Sequence, residues 1–471
     1  MHSALVTRHF IFMRILWPAL FLCSLLALAF GPGLLTREPA SDEELTVISP
    51  HWEGIRSEFG RAFSEHYFKQ TGRRLRVVWL DYGGTSEVTK FVIERFRQVR
   101  EKGGDGVGAD IFFGGGMDNL PTLAKADCFE PVTLPPEIDA KIPLEVSGQP
   151  LRDPQQRYYA ACLSGFGFVY NADVIARAKL NAPEKWSDLG RPEFRGWISS
   201  GDPSISGSVH QAFEIVLQSE GWERGCATLS GMLSNARAFN EGGPSVPRDV
   251  SLGQAAAGAC IDFYATAPIR RQAGAQLKFV IPSGASVVTP DGIAMLRGAP
   301  NRAAALEFVR FTLSESGQKL WYLARDPEGK NGAPKYYDLE RLPVMPELYE
   351  RGLPTNTVLN PFKNKADFIY DGKQASARWT MLNHFMRAMW VDAHEEMWSA
   401  RGAVIAAGRE NDLGAELLQP LSSEPELLAL AGKRLTPDEI NKLKNAWTSR
   451  MIAHCNSIER AAKSGGKWER P

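Results

Sequence analysis

Between residues 45 and 330 the chain alternates short apolar runs with longer stretches of helical period. Leu45–Ile48 is apolar and β-branched and is stopped by Pro50, so it reads as a buried strand. In Ile55–Phe68 the apolar residues fall at Ile55, Phe59, Phe63 and Phe68, close to the spacing of one helix face. Leu75–Leu80 reads as the next strand. The polar loop Asp81–Ser86 leads into a helix expected over Glu87–Glu101, and Ala109–Phe113 into a third strand followed by Gly114, Gly115 and Gly116. Strand–helix alternation of this kind predicts an α/β fold with a mostly parallel sheet and helices on both faces.

Tyr158–Tyr170 is apolar and aromatic throughout and long enough to cross between two lobes. A second series follows: a strand near Gly196–Ser199, a helix over Val209–Glu220 and a strand at Ala259–Asp262. Lys278–Pro282 is expected to return the chain to the first lobe, followed by Asp291–Leu296 and a helix over Asn301–Leu313. The last hundred residues are mainly helical. Thr436, Pro437 and Glu439 stand where an N-cap, a first helical residue and a capping-box acid belong. The expected organisation is a first part of lobe one at 45–160, lobe two at 161–282, a return to lobe one at 283–345 and a helical extension packing on the lobes at 346–471.

Length changes this picture little, since 471 residues exceed what one simple core serves. Charge excludes more. The formal net charge is zero, so no global field favours nucleic acid, which is not an expected partner. The N-terminus adds a destination. Arg8, His9 and Arg14 precede an apolar run from Ile15 to Phe30, with Ala27-Leu28-Ala29 as a small-x-small cleavage pattern and Gly31-Pro32-Gly33 after it. Residues 1–29 therefore read as a signal peptide for export to the periplasm. The alternative is an uncleaved anchor holding the protein at the inner membrane by residues 11–30, although the run is shorter than the roughly 20 residues of an ordinary span. Cys23 follows Leu22 and does not fit a lipoprotein site. Beyond it, Cys128, Cys162, Cys226, Cys260 and Cys455 form no CxxC pair. A periplasmic location permits disulfides, but an odd count leaves at least one thiol free, and burial as small hydrophobes is the simpler expectation.

In open α/β sheets ligands collect at loops beyond the carboxyl ends of strands. Four loops qualify: Ser49–Trp52, Tyr82–Ser86, Gly114–Asn119 and Asp202–Ser208. The second and fourth stand directly before helices. Glycine lets the backbone approach a ligand, hydroxyls donate hydrogen bonds, and a helix start offers unpaired N–H groups and partial positive charge, all of which suits a carboxylate, phosphate or phosphonate. The competing reading is that Ser86 and Ser208 are N-caps and nothing more. The candidate ligand residues are His51, Gly84, Thr85, Ser86, Gly115, Gly116, Ser204, Ser206, Gly207, Ser208, Asp262 and Tyr264. Asp262 and Tyr264 end a lobe-two strand and suit a cation or a polar ligand, or else are ordinary hinge residues. No catalytic motif stands out: there is no GxSxG, HExxH or Walker loop. His394-Glu395-Glu396 lacks a second histidine, and Gly103–Gly108 precedes a strand, whereas a dinucleotide loop follows one. No enzyme activity, cofactor or dedicated metal site is expected.

The ordered set of segments resembles the extracellular solute-binding proteins of ABC importers, in the cluster of ferric-iron, phosphonate, sugar-phosphate and polyamine binders. The likeness is carried by Gly167–Asn171, by Ala182–Leu189 with Pro192–Gly196, by Asp202–Ser208, and by Gly298–Asn301 followed by Ala304–Phe311 and Ser314–Lys319. The resemblance implies a type II periplasmic-binding fold, two lobes closing by a hinge on a small ligand, and an ABC permease as partner. The iron-binding branch holds ferric ion with adjacent tyrosines and a histidine near the first strand. Here His51 and Tyr264 stand at those places, but Phe263 replaces the second tyrosine. A small anionic or polar ligand is therefore preferred, with ferric iron and a membrane-anchored ligand sensor as the alternatives.

Overall fold

The computed structural model describes residues 41–117, 119–265, 276–355, 360–363, 368–466 and 468. The export segment 1–29 and the anchor at 11–30 lie outside them. No helix among the described residues is long and apolar enough to cross a membrane.

Lobe one begins with strand β1 (Glu43–Ile48), helix α1 (Glu53–Thr71), β2 (Leu75–Leu80), α2 (Thr85–Glu101) and β3 (Ile111–Phe113). β4 (Tyr159–Asn171) then crosses to lobe two. That lobe holds β5 (Ile198–Gly201), α3 (Gly207–Glu220), α4 (Trp222–Ser234), β6 (Ala236–Asn240), β7 (Ala257–Ile261) and β8 (Leu277–Val280). β9 (Val288–Leu296) and α5 (Arg302–Leu313) return to lobe one. The chain finishes with α6 (Gly372–Met386), α7 (His394–Ala406) and α8 (Pro437–Ser464) as its principal C-terminal helices.

The strands follow one path, β2-β1-β3-β9-β4-β7-β5-β6, with β8 also on β4 and Phe129–Glu130 on β9. β1 is parallel to β2 and β3, and β5 is parallel to β6 and β7. The crossing strands are antiparallel to their neighbours, so the sheet is mixed, where the sequence had led us to expect a mostly parallel one. The reason is connectivity: a chain that leaves lobe one on β4 and comes back on β9 must run in opposite directions along the same seam. Every residue of the 13-residue β4 is buried. Its first half pairs with β9, Ser164 facing Thr289, and its second half with β7, Phe168 facing Ala259. An isolated antiparallel bridge also pairs Leu163 of β4 with Leu342. Lys278–Pro282, expected to make the return, instead forms β8 on the lobe-two end of β4, with Val280 opposite Phe168. The return belongs to β9.

Lobe one has a core on each side of its sheet. Phe59, Phe63, Phe308 and Trp321 fill one, and Val88, Val92, Phe96 and Leu120 the other. Lobe two is different. Its core of Phe168, Trp186, Phe213 and Leu229 runs without a break into Phe385, Trp390, Trp447 and Ile458 of the C-terminal helices. Full burial of each such side chain contributes about 1.5–3 kcal/mol, so these helices are part of lobe two rather than an appendage. A buried ion pair ties them in: Arg378 of α6 donates to Glu214 of α3 at 2.8 Å and also pairs with Glu424. α8 starts as its sequence indicates. Thr436 Oγ1 accepts the Glu439 N–H at 3.3 Å, and the Glu439 carboxylate accepts the Thr436 N–H at 2.7 Å.

Candidate functional site

The loops at the ends of β2 and β5 meet across the interlobe seam. α2 starts at Thr85 after Gly84, and α3 starts at Gly207 after Ser206, with no side-chain cap bond at either start. Among the described residues no protein acceptor takes the backbone N–H of Thr85, Ser86, Gly207 or Ser208. Two helix starts, each equivalent to about half a positive charge, thus come together from different lobes. The approach is very close. A Cβ on Gly84 would lie 2.2 Å from the Ile205 carbonyl oxygen, and one on Gly207 would lie 2.6 Å from Thr85 Oγ1. Only glycine permits the lobes to touch here.

Between them lies a cavity of about 410 Å³. Its donors include the hydroxyls of Thr85, Ser206, Ser208 and Tyr264 and the amide of Gln211. The Trp52 indole N–H, which also lines the cavity, is buried without an acceptor. Of the three acids that line it, Asp81, Glu241 and Asp291, two are engaged by protein partners. Asp81 accepts from Arg56 at 3.1 Å and from the Gly83 N–H at 3.0 Å. Asp291, from the middle of β9, accepts from Arg341 at 2.9 Å, from His51 Nε2 at 3.0 Å and from the Gly116 N–H at 2.7 Å. Burial raises the proton affinity of the Asp291 carboxyl, but Arg341, His51 and the Gly116 N–H outweigh it and hold the group well below the usual carboxylate range. Burial lowers that of His51, so its ring is neutral, donating Nε2–H to Asp291 and leaving Nδ1 buried without a partner. Arg341 is 2% exposed and lies over the Phe263 ring at 4.4 Å, which spreads its charge against an aromatic face.

One wall comes from the C-terminal region. Trp379 of α6 lines the cavity, and its indole N–H donates to Ser86 Oγ at 3.2 Å. Asn383, one turn on, donates to the same oxygen at 2.9 Å and accepts from His210 Nδ1 at 2.5 Å. The His210 ring stacks on Trp379 at 3.8 Å between centroids. These contacts pin the start of a lobe-one helix to lobe two.

Residues 109–342 match the family model of bacterial extracellular solute-binding proteins. That stretch is a bacterial extracellular solute-binding domain. Phosphoglycerate transport regulatory protein PgtC of Salmonella typhimurium is 30% identical over 161 residues, which are 34% of this chain and 40% of that one. The spermidine/putrescine-binding periplasmic protein of Escherichia coli is 26% identical over 141 residues, 27% of this chain and 37% of that one. This chain thus spans well under half the length of these relatives. Among solved structures, the periplasmic binding protein AfuA from Actinobacillus pleuropneumoniae, with exogenous fructose-6-phosphate bound, aligns with a TM-score of 0.60. The identity is 18%, over 75% of this chain and 99% of that one. Apo ferric ion-binding protein A of Pasteurella haemolytica aligns with a TM-score of 0.52 at 15% identity, over 70% and 93% of the two chains. The fold is therefore the two-lobed type II periplasmic-binding fold, with a helical C-terminal region.

Within the solute-binding domain and its lobe-one loops, nine of the expected residues line one cavity: His51, Gly84, Thr85, Gly115, Gly116, Ser206, Gly207, Ser208 and Tyr264. Three do not. Ser86 lies one residue further into α2 than the cavity reaches, and its hydroxyl is taken by Trp379 and Asn383. It is no N-cap either, because the helix starts before it. Ser204 bonds back to Asp202 at 2.6 Å and faces a neighbouring notch. Asp262 is sealed beneath the cavity floor, where the Gly165 and Phe263 N–H groups donate to it at 2.6 and 2.7 Å. Burial pushes its carboxyl up to about 6. Sequence reasoning missed Arg56, Gln211, Asp291, Arg341 and Trp379. Asp291 had left a trace, a lone acid inside the apolar run Val287–Leu296. The other four carry no local mark. All five cysteines from Cys128 to Cys455 are free and buried.

Proposed function

We propose that this protein is the exported solute-capturing component of an ABC-type importer, that it binds a small phosphate- or carboxylate-bearing organic solute between its lobes, and that it hands the solute to an inner-membrane permease without chemical change. The observation that carries this is the convergence of two helix starts from different lobes on one donor-rich cavity in which the acids Asp81 and Asp291 are already paired. An anionic group accepts from both lobes at once, so its binding favours the closed state and needs no catalysis. The lobe limits at 45–160, 161–282 and 283–345 are proposed as the moving units, with bending where β4 and β9 cross the seam, and the region after 346 moving with lobe two. Phosphoglycerate transport and fructose-6-phosphate binding in the relatives support a phosphorylated solute.

Ferric iron is disfavoured on the site's own chemistry. Tyr264 is the only phenol on the cavity among the described residues, its proton affinity is pushed up to about 12 by burial, and the Phe263 ring faces Arg341. The test is a thermal-shift panel on the purified protein, covering phosphoglycerates, sugar phosphates, phosphonates, polyamines and ferric citrate. Stabilisation by phosphorylated compounds is expected. A flat response to the whole panel overturns the reading, and a response to ferric citrate alone restores the iron alternative.

A further inference from the structure

A second cavity, of about 310 Å³, opens where lobe one, the Asp202–Ser208 loop and the C-terminal helices meet. Basic side chains dominate it: Lys90 from α2, His384 and Arg387 from the end of α6 and the turn after it, and Lys444 from α8. Arg387 is paired, with Asp202 and with Asp392 at 2.6 Å. Among the described residues Lys90 and Lys444 have no carboxylate partner, and neither ring nitrogen of His384 bonds to the protein. Burial, then Lys90 and Lys444, lower the proton affinity of His384 to about 4, so both ammonium groups act on the imidazole. Like charges held around one hollow repel, and an anion between them relieves that cost. The hollow is the right size for a small multivalent anion. It also abuts the Ser86 contact, with Trp379 lining the solute cavity and Asn383 lining the notch.

We propose that this notch is a second anion site, distinct from the solute cavity, taking a small soluble anion of the phosphate or pyrophosphate type. Lys90 holds it from lobe one, and Lys444 and Arg387 hold it from the C-terminal helices. The anion therefore spans the seam that the Ser86 bonds close. By linkage, a ligand bridging the seam and a solute that closes the lobes strengthen each other's binding, a consequence that rests on the lobe motion proposed above. The site itself does not rest on it, because its side chains lie outside the solute cavity.

The imidazole of His384 reports occupancy directly. The groups facing it are Lys90, Arg387, Asp392 and Lys444, and an anion among them offsets the two lysines. Nitrogen-15 NMR of the full protein at about pH 5.5, with the signal assigned by His384→Gln, is expected to show a neutral ring alone and a largely protonated ring in millimolar pyrophosphate, a rise of at least about two pH units. Lys90→Gln and Lys444→Gln remove no ion pair and no packed core, so both variants fold. Each is expected to weaken the pyrophosphate response about tenfold. A His384 signal unmoved by pyrophosphate overturns the proposal, as does an undiminished response in the double variant. A response to phosphatidylglycerol vesicles without one to free pyrophosphate overturns it in favour of a lipid headgroup. The His384 signal reads the notch alone, and the solute panel repeated on the Lys90→Gln/Lys444→Gln double variant reads the solute cavity alone, so either result stands when the other fails.

Discussion

One carboxylate organises the floor of the solute cavity. Asp291 is the one charged residue of its strand, and its charge is required because Arg341 is buried beside it. Asp291→Asn keeps the shape and the Gly116 bond but leaves the guanidinium facing a neutral amide. Losing one partner of a buried pair costs about 3–5 kcal/mol, so a large drop in melting temperature is expected, and an unchanged melt would show that the pair is not what holds the floor. His210 sets a pH limit. It is wholly buried, and burial, against the Asn383 bond, lowers its proton affinity to about 3. The unfolded chain takes up a proton at this residue below a pH of about 6.5, and the folded protein does not, so stability falls as pH drops through that window. At pH 5 this single residue removes about 2 kcal/mol. Denaturant unfolding between pH 5 and 7.5 should show a shallower pH slope in His210→Gln than in the wild type.

For the elements, the important fact is where two helices begin. α2 starts at Thr85, two residues before the position the sequence suggested, because Gly84 rather than Ser86 makes the turn into it. That shift points Thr85 into the cavity and frees Ser86 to accept from α6. Gly84 has φ −71°, which any residue adopts, so Gly84→Ala strains nothing within lobe one. The nearest atoms its Cβ meets all belong to Ile205 across the seam, the carbonyl oxygen first. The variant is expected to melt near the wild type, to bind its solute at least about tenfold more weakly and to scatter X-rays as a larger particle. Normal affinity would show that the closed contact is not needed for capture.

As a whole the molecule is two lobes with four cores among the described residues, the largest of them shared between lobe two and the C-terminal helices. The region after residue 346 looks like an extension in sequence, yet Phe385, Trp390 and Trp447 fill the same interior as Phe213 and Trp222. A chain ending at residue 371 exposes that interior and leaves Glu214 buried without Arg378. It is expected to be insoluble or aggregated in size-exclusion chromatography, whereas a monomeric, folded product would mean that the helices are a separable module.

Alternation of apolar runs with helical periods determined the α/β class, the order of strands and helices and the long crossing strand, because those features follow from which residues must be buried within one element. The same local logic found the glycine- and hydroxyl-rich loops, and nine of the twelve candidate residues face one cavity. What it left undetermined depends on contacts between residues far apart in the chain. Val280 pairs with Phe168 rather than with lobe one, Asp262 is spent on the Gly165 and Phe263 N–H groups, and Arg341 meets Asp291 and His51 only after three separate segments fold. Trp379 reaches the cavity across nearly three hundred residues to Ser86. No periodicity encodes such distances; the tertiary structure decided them, because burial pairs whatever charges and hydrogen-bonding groups the packing brings together.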